Sequence, residues 1–360
     1  MNMGEAKLRP KADRKRVTLR DVAEEAGVSL KTASNVINHS GRMTDSTREK
    51  VQEVIDRLGY RVNVAARNLN RGKTGFITLA VPTLTAPYLS ELANRVIDAA
   101  RGYGYSVYVT TYAEGSTQGA QSLLRNFNTT VSDGMILSVS EVENLEAADL
   151  EVDYPLVCVG ARSTYGKADH VTPDDIQEAR LATEYLFDHG ATRLAVVGSR
   201  TEPEHIDSVR DAIEGNAQLR LRGVLEACAA RGIEFDSRLV GNTGQDWTIG
   251  SGARITQQLI DSGIPFDGIV AFNDQLALGA LFTLAANGIS VPDQMQVIGF
   301  DNIEEAAYFQ PPLTTMDSCL DWIASTAVSR ILDRIDGTRT LEPSYITTQS
   351  HVIARATTRV

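Results

Sequence analysis

From Gly75 onward, short apolar runs alternate with longer stretches in which apolar positions recur every three or four residues. The runs are GFITLAV (75–81), YSVYVTT (105–111), GMILSV (134–139), PLVCVG (155–160), RLAVVG (193–198), GIVAF (268–272) and MQVIGF (295–300). Between them, the periodic stretches predict helices near 88–102, 117–127, 175–188, 217–231, 249–261 and 274–286. Buried strands alternating with amphipathic helices imply parallel sheets covered on both faces. The runs are numerous enough for two such sheets, an α/β core with two lobes.

The stretch before Gly75 has a different pattern. In VTLRDVAEEAGVSLKTASNVINHSG, Val17 to Gly41, Thr18 and Asp21 have capping-box spacing, and Val22, Ala23 and Ala26 form one apolar face. Gly27 stops this helix where positive φ is needed, and Ser29 caps a second helix running to about Asn38. In the second helix Ala33, Val36 and Ile37 face inward, leaving Leu30, Lys31, Thr32, Ser34 and Asn35 outward. Thr44, Asp45 and Ser46 open a third helix through Leu58, with Val51, Val54, Ile55 and Leu58 as its core face. Two short helices joined by a tight glycine turn make a helix-turn-helix, whose second helix suits a major groove. Entering it amino end first, Leu30, Lys31 and Asn35 project toward base edges, and Ser29, Thr32 and Ser34 toward phosphates.

Charge separates the same two regions. Residues 1–73 carry 16 Lys/Arg against 9 Asp/Glu, and the remainder 19 against 37, so a head of +7 precedes a body of −18. A basic head suits a polyanion such as double-stranded DNA. The 360-residue chain has room for two to three domains. Its first sixteen residues read as a flexible basic arm, not a signal peptide, and no apolar run is long enough to span a membrane. The expected location is the cytoplasm. Cys158, Cys228 and Cys319 have no metal-ligand or redox spacing. No nucleophile elbow, phosphate loop or zinc-protease motif is present, so neither an enzyme nor a bound cofactor or metal is expected.

VTLRDVAEEAGVSLKTASNVIN and TREKVQEVIDRLGYRVNVAARNL resemble the DNA-binding headpiece and hinge of the lactose repressor (LacI/GalR) family. APYLSELANRVIDAARGYGYSV, FNDQLALGAL, VPDQMQVIGFDN and PPLTTM resemble its regulatory core. The resemblance implies a helix-turn-helix domain at 17–62, a hinge helix and linker at 63–74, and a periplasmic-binding-protein-like core at 75–357. It further implies crossings between lobes near 173, 317 and 345. In the hinge, two turns of helix are marginal alone. Ala66 and Leu69 are expected to enter a minor groove, with Leu69 as the wedge.

Ligands of such sheets gather at the carboxyl ends of strands. Thr83, Arg162, Asn273 and Asp301 each follow an apolar run, and Asp274 reads as a helix cap. The resemblance adds Arg220 and Trp247 and places Asn273 and Asp301 with them in an effector cleft. Their amide, carboxylate, guanidinium and indole groups suit a carbohydrate. The implied protein is a homodimeric regulator, most simply a repressor, that binds a palindromic operator and responds to a small polar effector. A corepressor-dependent regulator and a sugar-binding protein without a gene-regulatory role are the alternatives. The sequence departs from the family pattern at Thr83 and Ala86, where Asp and Asn are frequent, at Asn35, where Arg is common, and at Val62, where Pro is common. LTTMDSCLD lacks the family's Arg-Gln pair, and no heptad-rich, tetramer-forming tail follows residue 357.

Overall fold

In the computed structural model the chain divides into two compact units, Met1–Thr74 and Gly75–Val360. The structure describes residues 17–37, 40–60, 72–112, 117–140, 142, 144–337 and 342–359. The arm at 1–16 and the hinge residues Ala66 and Leu69 lie outside the described residues.

In the first unit, α1 (Leu19–Ala26), α2 (Leu30–Ile37) and α3 (Asp45–Leu58) form a small bundle. Asp21 N donates to Thr18 Oγ1 at 3.3 Å and Thr18 N donates to Asp21 Oδ2 at 2.7 Å, so each residue satisfies the other's exposed donor. Gly27 closes α1 with φ +63, a conformation that any Cβ disfavours. Helices of two turns need tertiary packing to persist. Val22, Ala26, Ala33, Val36, Val51 and Val54 supply it as one buried cluster.

The strands of the second unit are β1 (Phe76–Val81), β2 (Ser106–Thr111), β3 (Met135–Ser138), β4 (Leu156–Val159), β5 (Asp169–Thr172), β6 (Leu194–Ser199), β7 (Val240–Asn242), β8 (Gly268–Ala271), β9 (Gln296–Phe300), β10 (Thr314–Asp317), β11 (Tyr345–Thr347) and β12 (His351–Ile353). They make two six-stranded sheets, ordered β11-β5-β4-β3-β1-β2 and β12-β10-β9-β8-β6-β7. All pairings are parallel except β10 with β12. Every residue of β6, β8 and β9 is buried, as expected of parallel strands covered on both faces.

The covering helices are α4 (Pro87–Gly102), α5 (Thr117–Arg125), α6 (Asp175–Asp188), α7 (Asn216–Ala230), α8 (Ile249–Asp261), α9 (Asp274–Ala286), α10 (Glu304–Tyr308) and α11 (Leu320–Ile335). The last of these was not expected from the sequence. Its Ile323, Ala324, Ala327, Val328 and Ile331 nevertheless pack into the core of the first sheet. Helices α8 and α9 meet so closely that a Cβ at Gly279 would stand 2.1 Å from the Ile249 carbonyl oxygen. The chain passes between the sheets three times, between β5 and α6, between β10 and α11, and between β11 and β12. The third passage falls at 348–350, after Tyr345–Thr347 has paired with β5.

Candidate functional site

The carboxyl ends of both sheets face a cavity of about 620 Å³. Thr83 follows β1, Ser140 follows β3 and Gly160 follows β4; Trp247, Asn273 and Asp301 follow β7, β8 and β9. Arg220 enters from α7 and Tyr88 from α4. Of the six residues expected in an effector cleft, Thr83, Arg220, Trp247, Asn273 and Asp301 line this one space.

Arg162 does not line it. After β4 the cavity wall is the bare backbone of Gly160, at φ +104, where a Cβ would lie 2.0 Å from Ser140 Oγ. Two residues on, Arg162 turns to Glu214 at 3.6 Å, in a separate depression with Asn144, Glu146 and Tyr165.

Arg220 is the electrostatic centre. It is buried, with Nε donating to Asp175 Oδ1 at 2.7 Å and Nη1 donating to the Phe272 carbonyl. Its Nη2 lies 3.7 Å from Glu178 Oε2 and 4.0 Å from Asp301 Oδ1. The guanidinium carbon also stands 4.5 Å from the Phe300 ring centroid and 5.9 Å from that of Trp247. Burial raises the carboxyls of Asp175 and Asp301 above their ordinary range, with Arg220 pulling them back, and takes Glu178 up to about 7. Burial, then Asp301 and Glu178, push the Tyr88 phenol up. One guanidinium thus holds three carboxyls beside a cavity.

Asn273 keeps its place on the cavity wall and also takes the capping role expected of Asp274. Asn273 is the cap of α9: Oδ1 accepts from Leu276 N at 2.8 Å, while Nδ2 donates to the Trp247 carbonyl at 3.1 Å. Asp274 is fully buried, accepting from Thr315 Oγ1 at 2.6 Å and Ile303 N at 3.0 Å. Its room comes from Gly299, where a Cβ would stand 2.2 Å from Asp274 Oδ1. Asp301 has φ +100, a conformation that costs a non-glycine residue of order 1–3 kcal/mol and is concentrated at functional sites. Thr83 Oγ1 accepts from Thr85 N at 3.1 Å, closing a tight turn at the rim. Asp175, Glu178 and Tyr88 were missed by sequence reasoning. The two acids follow TPD in what reads as an ordinary acidic helix start, and only the fold sets them behind Arg220.

In the first unit, Leu30 is half exposed, Lys31 and Ser29 are exposed, and Thr32, Ser34 and Asn35 are partly covered. Ser29 Oγ accepts from Thr32 N at 3.0 Å and shares a 2.8 Å hydrogen bond with Thr32 Oγ1. Asn35 rests against Gly41, where a Cβ would lie 2.6 Å from Asn35 Nδ2. The outward row of α2 therefore presents one apolar, one cationic and one amide side chain, flanked by hydroxyls.

A helix-turn-helix followed by a two-lobed α/β core with a polar cavity at its strand ends defines a ligand-responsive DNA-binding regulator. Residues 18–63 match the family model of bacterial regulatory proteins of the lacI family, and residues 183–358 match the periplasmic binding protein-like domain. The chain is 30% identical to the HTH-type transcriptional regulator DegA of Bacillus subtilis, over 84% of this chain and 86% of that one. It is 31% identical to the HTH-type transcriptional repressor PurR of Vibrio parahaemolyticus, over 88% and 92%. Among solved structures it is similar to the lac repressor dimer bound to operator and the anti-inducer ONPF, with TM-score 0.80 and 25% identity over 96% of this chain and all of that one. It is also similar to a CelR–cellobiose complex, with TM-score 0.66 and 27% identity over 95% of this chain and all of that one. The chain belongs to the LacI family of bacterial transcription regulators. No helix among the described residues is long and apolar enough to cross a membrane.

Proposed function

We propose that this regulator is a cytoplasmic repressor that binds a palindromic operator as a homodimer and changes its operator affinity when a small carbohydrate-like effector occupies the cavity. The observation that carries the reading is the convergence of Arg220, Asn273, Asp301 and Trp247 on one space at the strand ends. Such groups make paired hydrogen bonds to neighbouring hydroxyls, and an indole covers an apolar sugar face. The cellobiose complex and the operator-bound lac repressor dimer support the ligand class and the assembly. Leu30, Lys31 and Asn35 read bases, Ser29, Thr32 and Ser34 hold phosphates, and Ala66 and Leu69 enter the minor groove from the hinge at 63–74. One headpiece reads few base pairs, so specificity requires two symmetric half-sites. Ile249 on α8, nearly half exposed, and Phe282 on α9, largely exposed, are available to a second copy of the chain.

The test is operator selection from randomised palindromes, followed by titration of the complex with a panel of mono- and disaccharides. The expected result is a palindromic site whose affinity falls about 5- to 150-fold with one of the sugars. Selection of isolated half-sites would remove the homodimer, and indifference to the whole panel would remove the carbohydrate.

A further inference from the structure

Glu178 occupies a position that effector binding alone does not explain. It lies one turn into α6, just past the first passage between the lobes, and its side chain is 1% exposed. Ser350, in the third passage, donates its hydroxyl to Glu178 Oε1. Ser318, in the second passage, closes no full hydrogen bond of its own but stands near enough to favour the ionised carboxyl. Glu178 Oε2 points to Arg220 at 3.7 Å. One carboxyl thus touches the third interlobe passage, neighbours the other two, and backs the central cation of the cavity.

We propose that Glu178 is a positioning residue that couples Arg220 to the three interlobe passages, and that gain or loss of its proton tightens or loosens those passages. The reading of the cavity as an effector site underlies the coupling to Arg220, whereas the effect on the passages stands without it.

The chemistry follows from an imbalance of acceptors. From its own helix Glu178 faces Asp175, and from the loop after β9 it faces Asp301. Arg220 on α7 is the cation set against these carboxyls. Burial first, and then the same negative charge, pushes Tyr88 on α4 and the Cys319 thiol beside Ser318 toward their neutral forms. Two oxygens of the group, Asp175 Oδ2 and Glu178 Oε2, are buried without any donor. A proton on Glu178 adds a donor where acceptors are in excess and removes one of three like charges. Without the proton the cluster gains from admitting water, and the passages around it are where water can enter. Burial, opposed by Arg220, places the transition near pH 7.

The experiment is amide hydrogen exchange on the full, ligand-free chain, corrected for intrinsic rates, with the Asp174 amide and the passages at 318–319 and 348–350 followed by mass spectrometry. In the wild type these segments should exchange roughly tenfold faster at about pH 8 than at about pH 6, with a midpoint near 7. Glu178→Gln keeps the shape and adds donors, so its passages should stay at the slow rate at both pH values. Equal pH dependence in wild type and Glu178→Gln, or a wild type without pH dependence, overturns the proposal. If Glu178→Gln does not fold, Ser350→Ala decides: it should speed exchange at 348–350 at high pH by several-fold while leaving β6 and β8 unchanged. No change at 348–350 in that variant would equally overturn it. Because neither DNA nor sugar is present, failure of operator binding would be seen separately.

Discussion

Arg220 Nε donates a 2.7 Å hydrogen bond to Asp175 Oδ1, so the cation at the cavity wall is held from behind by the first residue of α6. Arg220 is therefore a structural charge as well as a cavity-facing one, and the two roles must be separated by mutation.

Replacing Arg220 with Ala leaves Asp175, Glu178 and Asp301 buried without their counter-charge. Breaking a buried pair from one side costs about 3–5 kcal/mol. Urea unfolding of Arg220→Ala should show a loss of that order, and Arg220→Met with Asp175→Leu should recover part of it. Asp301→Asn removes a cavity-facing charge without stranding the cation, since Asp175 and Glu178 remain. It should keep operator affinity and lose the effector response. A wild-type response in Asp301→Asn, read by fluorescence anisotropy, would remove Asp301 from the effector site.

Asn273 ties the start of α9 to the loop that carries Trp247. Asn273→Ser keeps an acceptor for Leu276 N but cannot reach the Trp247 carbonyl, so stability should change little while Trp247 fluorescence and effector affinity change. Asn273→Ala loses the cap as well, a further cost of about 1 kcal/mol. Thermal unfolding beside ligand titration distinguishes the two losses.

Asp274 gives stability a pH dependence. Burial raises its carboxyl from 3.8 to about 7, against the opposing hydrogen bonds from Thr315 and Ile303. Its folded value exceeds the unfolded one, so the folded state binds the proton more tightly. That contribution is complete below about pH 4 and is lost as pH rises through 7. Glu178 acts with the same sign. Denaturation free energy should therefore fall between about pH 4 and 7, and Asp274→Asn should flatten the fall by up to about 1.4 kcal/mol per pH unit. An identical slope in wild type and variant would show that Asp274 is ionised throughout.

The alternation of apolar runs and amphipathic helices was legible because parallel strands covered on both faces leave little choice of residue, as in LAVVGS of β6, where all positions are buried. Helix α11 was not, since LDWIASTAVSRILDRI follows no apolar strand run and returns to the first sheet only through a passage that local sequence does not mark. The short strands β7, β11 and β12 were missed because three residues carry no period. Strand-end reasoning pointed to Thr83, Asn273 and Asp301, which the structure sets on the cavity wall. It also pointed to Arg162, which the structure sets beside Glu214, a partner 52 residues away, rather than on the cavity wall.

Helix α2 allows base contacts and phosphate contacts to be separated. Ser29 caps the helix through Thr32 N, so Ser29→Ala would weaken the fold as well as any phosphate contact. Thr32→Ala leaves that cap intact and frees Ser29 Oγ from its hydroxyl partner, which makes it the cleaner probe. It should lower affinity for all DNA sequences nearly uniformly, because phosphates carry no base information. Asn35 suits adenine N6 and N7, whereas an arginine prefers guanine O6 and N7. Asn35→Arg should then change preference at one symmetric pair of operator positions by about 1–3 kcal/mol per half-site. Selection from randomised palindromes with wild type, Thr32→Ala and Asn35→Arg reads both effects at once. Identical preferred sites for wild type and Asn35→Arg would show that this face of α2 does not read bases, and a changed preference in Thr32→Ala would move Thr32 from the phosphates to the base edges.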